Sequence, residues 1–299
     1  MSNPCWIKEL GRSAGRVQTG LVGSVAYTLA LVLFLGACDN TFEPISSNKH
    51  DFFAVYGYLD TAADTQFIRV SPLRDTLEPV PGAYSALAST TQLATGDQVA
   101  WQDSNIVLDD GQPGLLFFAT LAVTPGTPYR LEVRDAEGAV TRAVTQVPPR
   151  ASVDPTPVSM DFGQRFVQRV TLRDQTVEPY RLRVRYEVTP PGADEPVTIS
   201  MPFFHAGLAT PNGLQYVLSL ELDREEVLRR LGVPSTDSTV VLHRVGLEIE
   251  QLSEEWRTPD LPVNIANGFG FFGSIARYAE TWTLEEAEVV RLGYKPPAR

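Results

Sequence analysis

Leu35-Gly36-Ala37-Cys38 is the stretch whose residue types and spacing specify a covalent reaction. A branched apolar residue, two small residues and Cys form a lipobox. The small residues let a signal peptidase hold the backbone extended, and the thiol takes a diacylglycerol before cleavage, after which its freed amine is acylated. The run 21–37 is apolar apart from Gly23, Ser24, Tyr27 and Thr28, and it follows Lys8, Arg12 and Arg16 with Glu9 the only acid. A basic head, an apolar middle and a small-residue end are the marks of an export signal. At about 17 residues the run is also close to the roughly 20 that span a bilayer. The small-residue end and the polar continuation "DNTFEPISSN" select lipidation at Cys38. More than one acyl chain anchors stably, each buried methylene contributing ~0.8 kcal/mol.

The expected mature chain has no free thiol. The two cysteines are Cys5, which leaves with the signal, and Cys38, which carries the lipid. No internal disulfide and no Cys-based zinc site can form. The full chain carries a net charge of −11, and removing the signal leaves 22 basic and 35 acidic residues, a net of −13. Such acidity excludes nucleic acid as a partner, because binding it needs basic patches that displace counterions.

Other chemistry is sparse. Neither a G-x-S-x-G elbow nor a Gly-rich phosphate cradle occurs, and nothing calls for a cofactor. His50, His205 and His243 are scattered, which suits surface or half-buried roles better than a metal site, and Asp109-Asp110-Gly111 lacks the spaced acids of a calcium loop and reads as a turn. Two carboxylates about 5–10 Å apart would suit glycoside hydrolysis, but Glu248, Glu250, Glu254 and Glu255 lie on or just after an alternating strand and are expected to face solvent. The most unusual segment is "VNIANGFGFFGSIARYAETW", 263–282, where Phe269, Phe271 and Phe272 interleave with Gly270 and Gly273. Those three Phe are the candidate ligand contacts, as an aromatic stacking platform. The competing reading, a core strand where Gly allows close backbone approach, is favoured by the lack of convergent polar residues. "MPFFHAG", 201–207, is a weaker case of the same kind.

The elements that must position these residues are strands. Residues 38–49 have no apolar period and read as a tether. The block 50–148 has short runs with Gly and Pro turns: "FFAVYGYLD" and "QFIRVSPLRD" as a hairpin, then "QVAWQDS", "LLFFATLAV" and the pair within "VTPGTPYRLEVRDAEGAVTRAVTQVP". This indicates an Ig-like β-sandwich. The Pro-rich stretch 149–157 reads as a linker, or as a crossing between two sheets of one larger domain. Block 158–299 holds further strands, clearest in "PYRLRVRYEV", where Tyr180, Leu182, Val184, Tyr186 and Val188 share one face. It also holds two short helices. Asp223 to Glu226 forms a capping box, with Gly232 and Pro234 at the end, and Thr283 with Glu286 repeats the device ahead of Gly293. Capping and pairing with Arg229 and Arg230 explain these acids better than catalysis. The fold class is all-β: two β-sandwich (Ig-like) domains or one two-part β domain, with two short helices in the C-terminal half.

The lipobox, the stretch "VTPGTPYRLEVRDAEGAVTRAVTQVP" and the late "VNIANGFGFFGS" together resemble an uncharacterised lipoprotein family of Bacteroidota, known only as a domain of unknown function. The likeness covers most of the mature chain. Only Cys38 and the marker 267–273 map across, and the two capped helices lie outside the pattern. Genes of that family lie beside TonB-dependent outer-membrane receptors. The resemblance therefore implies an outer-membrane lipoprotein, on the periplasmic or the cell-surface face, acting as a non-enzymatic accessory or ligand-binding partner of a nutrient transporter. A structural or adhesive surface lipoprotein and a glycan-active enzyme with unmarked carboxylates are the alternatives.

Overall fold

The computed structural model describes residues 52–73, 85–107, 113–256 and 264–298. Cys38, the tether, His50 and Asp109-Asp110-Gly111 lie outside them. In chain order the first part contributes β1 (Phe53–Asp60), β2 (Thr65–Pro72), β3 (Ala86–Gln92), β4 (Gln98–Ala100), β5 (Gln102–Val107), β6 (Pro113–Thr120), β7 (Pro128–Asp135) and β8 (Val140–Gln146). Next come β9 (Ser152–Pro155), β10 (Ser159–Met160), β11 (Phe166–Arg173), β12 (Arg181–Thr189), β13 (Val197–Phe203), β14 (Leu208–Thr210) and β15 (Gly213–Leu218). Helix α1 (Leu220–Leu231), β16 (Val241–Leu252), a 3-10 turn (Glu254–Trp256), β17 (Ile265–Ala266), β18 (Gly268–Trp282) and α2 (Glu286–Arg291) complete the chain.

These strands form an all-β sandwich built on one eight-stranded sheet, ordered β13-β12-β16-β18-β1-β2-β6-β5. Two smaller sheets complete it, β17-β8-β7-β3-β4 and β10-β11-β15-β14 with β9 alongside β11. Period-2 patterning decides which residues face inward. In β7, Tyr129, Leu131 and Val133 are buried, while Glu132 faces out between Arg130, Arg134 and Arg142. In β12, Leu182, Val184, Tyr186 and Val188 are buried and Arg181, Arg183 and Arg185 take the other face.

Two apolar cores lie under the long sheet. One gathers Phe53, Val55, Ile68, Leu115, Phe117 and Leu131. The other gathers Leu182, Val184, Leu214, Leu218, Val227 and Leu247. β18 joins them. Its first half runs parallel to β1, Phe53 opposite Gly268 through Asp60 opposite Ile275, and its second half runs antiparallel to β16 from Leu252 opposite Ile275 to Val245 opposite Trp282. Phe272 and Ala276 enter the first core, whereas Tyr278 and Trp282 pack on the second. At about 3.4 Å per residue such a strand spans roughly 50 Å.

That spine corrects the division at 149–157. The two parts share one sheet, and Ile265, Phe272 and Ala276, all from beyond residue 158, complete the first core. The Pro-rich stretch holds β9, paired with β11 from Ser152 opposite Arg173 to Pro155 opposite Val170, and Ala151 belongs to the second core. It is a crossing within one two-part domain, the other reading of its sequence.

The helices exist, but their starts differ from the sequence reading. α1 begins at Leu220 with Ser219 at the N-cap, and Gly232 closes it in the left-handed conformation at φ 71°. Asp223 lies inside the first turn, because its carboxylate is used elsewhere: it accepts the Tyr186 hydroxyl at 2.7 Å. In α2 the capping box joins Glu285 and Glu288, two residues later than expected. Glu288 also accepts the Val158 N–H at 2.6 Å, so tertiary contact fixed the register.

Candidate functional site

Alternation in β1 turns Phe53, Val55 and Leu59 inward and Tyr56 and Tyr58 outward. β18 is in register with it, so Phe269, Phe271 and Gly273 share the outer face, opposite Ala54, Tyr56 and Tyr58. Antiparallel pairing with β2 places Arg69 opposite Tyr56 and Phe67 opposite Tyr58, and β6 adds Phe118 opposite Phe67. An aromatic row therefore crosses four strands. The row is not a core: Tyr56, Tyr58, Phe67 and Phe269 are exposed, Phe269 to 50%.

Its rings touch one another. Trp256, from the 3-10 turn, stands edge-on to Phe271 at 4.4 Å between centroids and to Tyr58 at 5.6 Å. Phe67 and Phe118 lie 6.4 Å apart. The Arg69 guanidinium sits 4.9 Å from the Tyr56 ring centre, within cation–π range. Edge-to-face pairs fix ring orientation, so the patch is a shaped surface. The two glycines make it possible: Gly270 has φ 112° and backs onto Val55, while a Cβ on Gly273 would strike the Phe271 ring and the Trp256 indole nitrogen.

Of the three candidate phenylalanines, the structure brings Phe269 and Phe271 to this face. Phe272 is the exception. It is wholly buried in the first core, since consecutive strand residues point to opposite faces. Core burial of all three does not hold either, for the same reason. Asn267 has φ 57° and sits where the chain turns into β18, its carbonyl accepting the Thr141 hydroxyl and the Phe52 N–H.

The carboxylates weighed for catalysis are committed to structural partners. Glu250 is buried rather than solvent-facing. One of its oxygens accepts Arg277 Nε and Nη2 at 3.1 and 3.0 Å, and the other accepts Arg181 at 3.2 Å. Arg277 also holds Asp60 at 2.6 Å. Glu248 accepts the Ser200 hydroxyl at 2.6 Å and lies 3.6 Å from both Arg183 and Arg185. Glu255 accepts the Thr145 hydroxyl at 3.1 Å, whose oxygen also lies 3.1 Å from Ser274 Oγ. These bonds stitch β8 to β18. Glu254 is exposed, as expected.

His243 is the extra residue of a β-bulge where the β12–β16 register shifts, and its Nε2 lies 2.8 Å from the Thr189 hydroxyl. His205 packs edge-on to Phe203 at 5.5 Å. Among the described residues no three His, Cys, Asp or Glu side chains gather as metal ligands, and no helix is long and apolar enough to cross a membrane.

Two clefts flank the arginine rows of β12. One, of about 480 Å³, is lined by Ala62, Arg181, Glu248, Glu250 and Arg277. The other, of about 620 Å³, sits at the open end of the β12–β13 hairpin against Glu178, Tyr180, Arg181, Phe204 and Tyr216. Sequence reasoning passed over Tyr180 by assigning it to the buried face of β12. It precedes the strand and is exposed. The doublet Phe203-Phe204 did carry a signal: Phe203 packs on Tyr216 at 5.8 Å, and Phe204 stands out at 87% exposure.

Compared with known proteins, the chain matches no family model and no curated protein.

Proposed function

We propose that this chain is a lipid-anchored, non-enzymatic accessory protein of the outer membrane that docks a TonB-dependent nutrient receptor through the aromatic outer face of its long sheet. The observation that carries the reading is the row Tyr56, Tyr58, Phe67 and Phe269, exposed together on one continuous sheet, with Trp256 of the 3-10 turn packed against Tyr58. Isolated exposed aromatics are ordinary, but a contiguous patch marks an interaction surface. Aromatic residues and Arg are the side chains enriched at protein interfaces, and Arg69 lies among these rings. The anchor follows from the lipobox ending at Cys38, and the choice of receptor follows from the resemblance given above. The commitment of Glu248, Glu250 and Glu255 to arginines and hydroxyls supports binding over hydrolysis. The test is co-purification from crosslinked cells. The wild-type chain recovers a receptor barrel, whereas Phe269→Asp combined with Tyr58→Asp recovers none while keeping its melting temperature. Equal recovery with that variant would overturn the docking face.

A further inference from the structure

The cleft at the open end of the β12–β13 hairpin is separate from the aromatic face and offers both signs of charge. Arg181 spends one N–H on Glu250 at 3.2 Å and lies 5.6 Å from the Tyr180 ring centre. Its guanidinium has five N–H donors, and the others meet no protein acceptor among the described residues. Opposite in character is Glu178. Its two oxygens accept the Gly207 N–H at 2.7 Å and the Tyr216 hydroxyl at 2.5 Å. An ionised carboxylate has about four acceptor positions, so each oxygen keeps capacity for one more donor. Burial, and then Glu178 itself, push the Tyr216 phenol far above its ordinary range, so it stays a donor. Gly207 is required here, because a Cβ would stand 2.8–3.0 Å from the Tyr216 ring.

Two rings, Tyr180 and Phe204, line the same cleft and are both largely exposed. A volume of about 620 Å³ lies within the range of small-ligand sites. Pro179, Tyr180, Pro202, Phe203 and Phe204 give the cleft apolar and aromatic surface beside its charged groups. A molecule with an ammonium at one end, a carboxylate at the other and an apolar body between them satisfies every group named. An extended dipeptide spans roughly 7 Å, and Glu178 and Arg181 both line the cleft.

We propose that this cleft binds the two charged ends of a short peptide, its carboxylate on Arg181, its ammonium on Glu178 and its apolar side chains against Tyr180 and Phe204. The site does not depend on the anchor or on the docking face, so its failure would leave the docking reading standing, and the reverse. The test is calorimetry on the full chain in detergent with the dipeptide Leu-Phe, its C-terminal amide, its N-acetyl form and a glucuronic acid disaccharide. The free dipeptide binds, and each blocked form binds about tenfold more weakly. With Arg181→Gln the amide loses nothing further relative to the acid, and with Glu178→Gln the N-acetyl form loses nothing further relative to the free amine. Phe204→Ala weakens every peptide without changing the melting temperature. Equal binding of acid and amide by the wild-type chain, no binding of the dipeptide, or tighter binding of the disaccharide would each overturn the proposal. If a charge variant fails to fold, the blocked peptides on the wild-type chain still decide it.

Discussion

Glu132 illustrates what one residue contributes on the surface. Three arginines surround it at 3.1–3.8 Å, and the hydrogen bond from Arg142 is the main cause of a carboxyl held below its ordinary value of 4.5. A depressed folded value means the stabilisation is present above pH 4.5 and is lost as pH falls through the lowered one. Exposed pairs contribute ~0.2–1 kcal/mol each. Glu132→Gln is therefore expected to cost about 1 kcal/mol at pH 7 by urea unfolding, with the difference closing below pH 4.5. A gap that stayed constant down to pH 3 would remove the ion pairs as its cause. The alternation of Arg130, Glu132 and Arg134 made their outward direction legible in the sequence. The burial of Glu250 was not legible. It depends on Arg277 and Arg181, 27 and 69 residues away, and no local pattern announces partners that distant.

At the scale of elements, β18 carries the most information. Its Gly-Phe pattern was visible, but its assignment was not, because one strand serves two neighbours of opposite direction and two cores. Phe272→Ala is expected to cost ~3–5 kcal/mol, since the ring is fully buried in the first core, and chemical denaturation checks this. Phe269→Ala, half-exposed on the same strand, should change stability by less than ~0.5 kcal/mol. Equal costs for the two would mean the faces are assigned the wrong way round. Gly270→Ala places a Cβ against the Val55 carbonyl at φ 112°. It should break the parallel β1–β18 pairing, seen as faster amide exchange at Val55 and Tyr56 with β12 unchanged. The helices show the converse limit. Their existence was legible from acids, apolar spacing and Gly232, yet Asp223 is taken from the expected cap by Tyr186, and Glu288, which also holds Val158, forms the second capping box in place of Glu286.

For the whole molecule, the class of fold was readable and its partition was not. Short alternating runs with Gly and Pro turns sufficed for an all-β sandwich, whereas the shared sheet depends on residues after 264 returning to pair with β1. Sharing has a mechanical consequence: the two cores cannot separate without breaking β18, so unfolding should be a single transition. The sheet also leaves a broad outer face, aromatic along β1, β2 and β18 and charged along β12 and β16. Docking through its aromatic part is the central claim. A photo-crosslinking residue at position 269 tests it directly, with position 87 as control because Leu87 is exposed on β3, in one of the smaller sheets rather than on the long sheet's face. The account predicts that light crosslinks a TonB-dependent receptor barrel from position 269 and not from position 87. Equal capture from both positions, or no barrel from position 269, would contradict it.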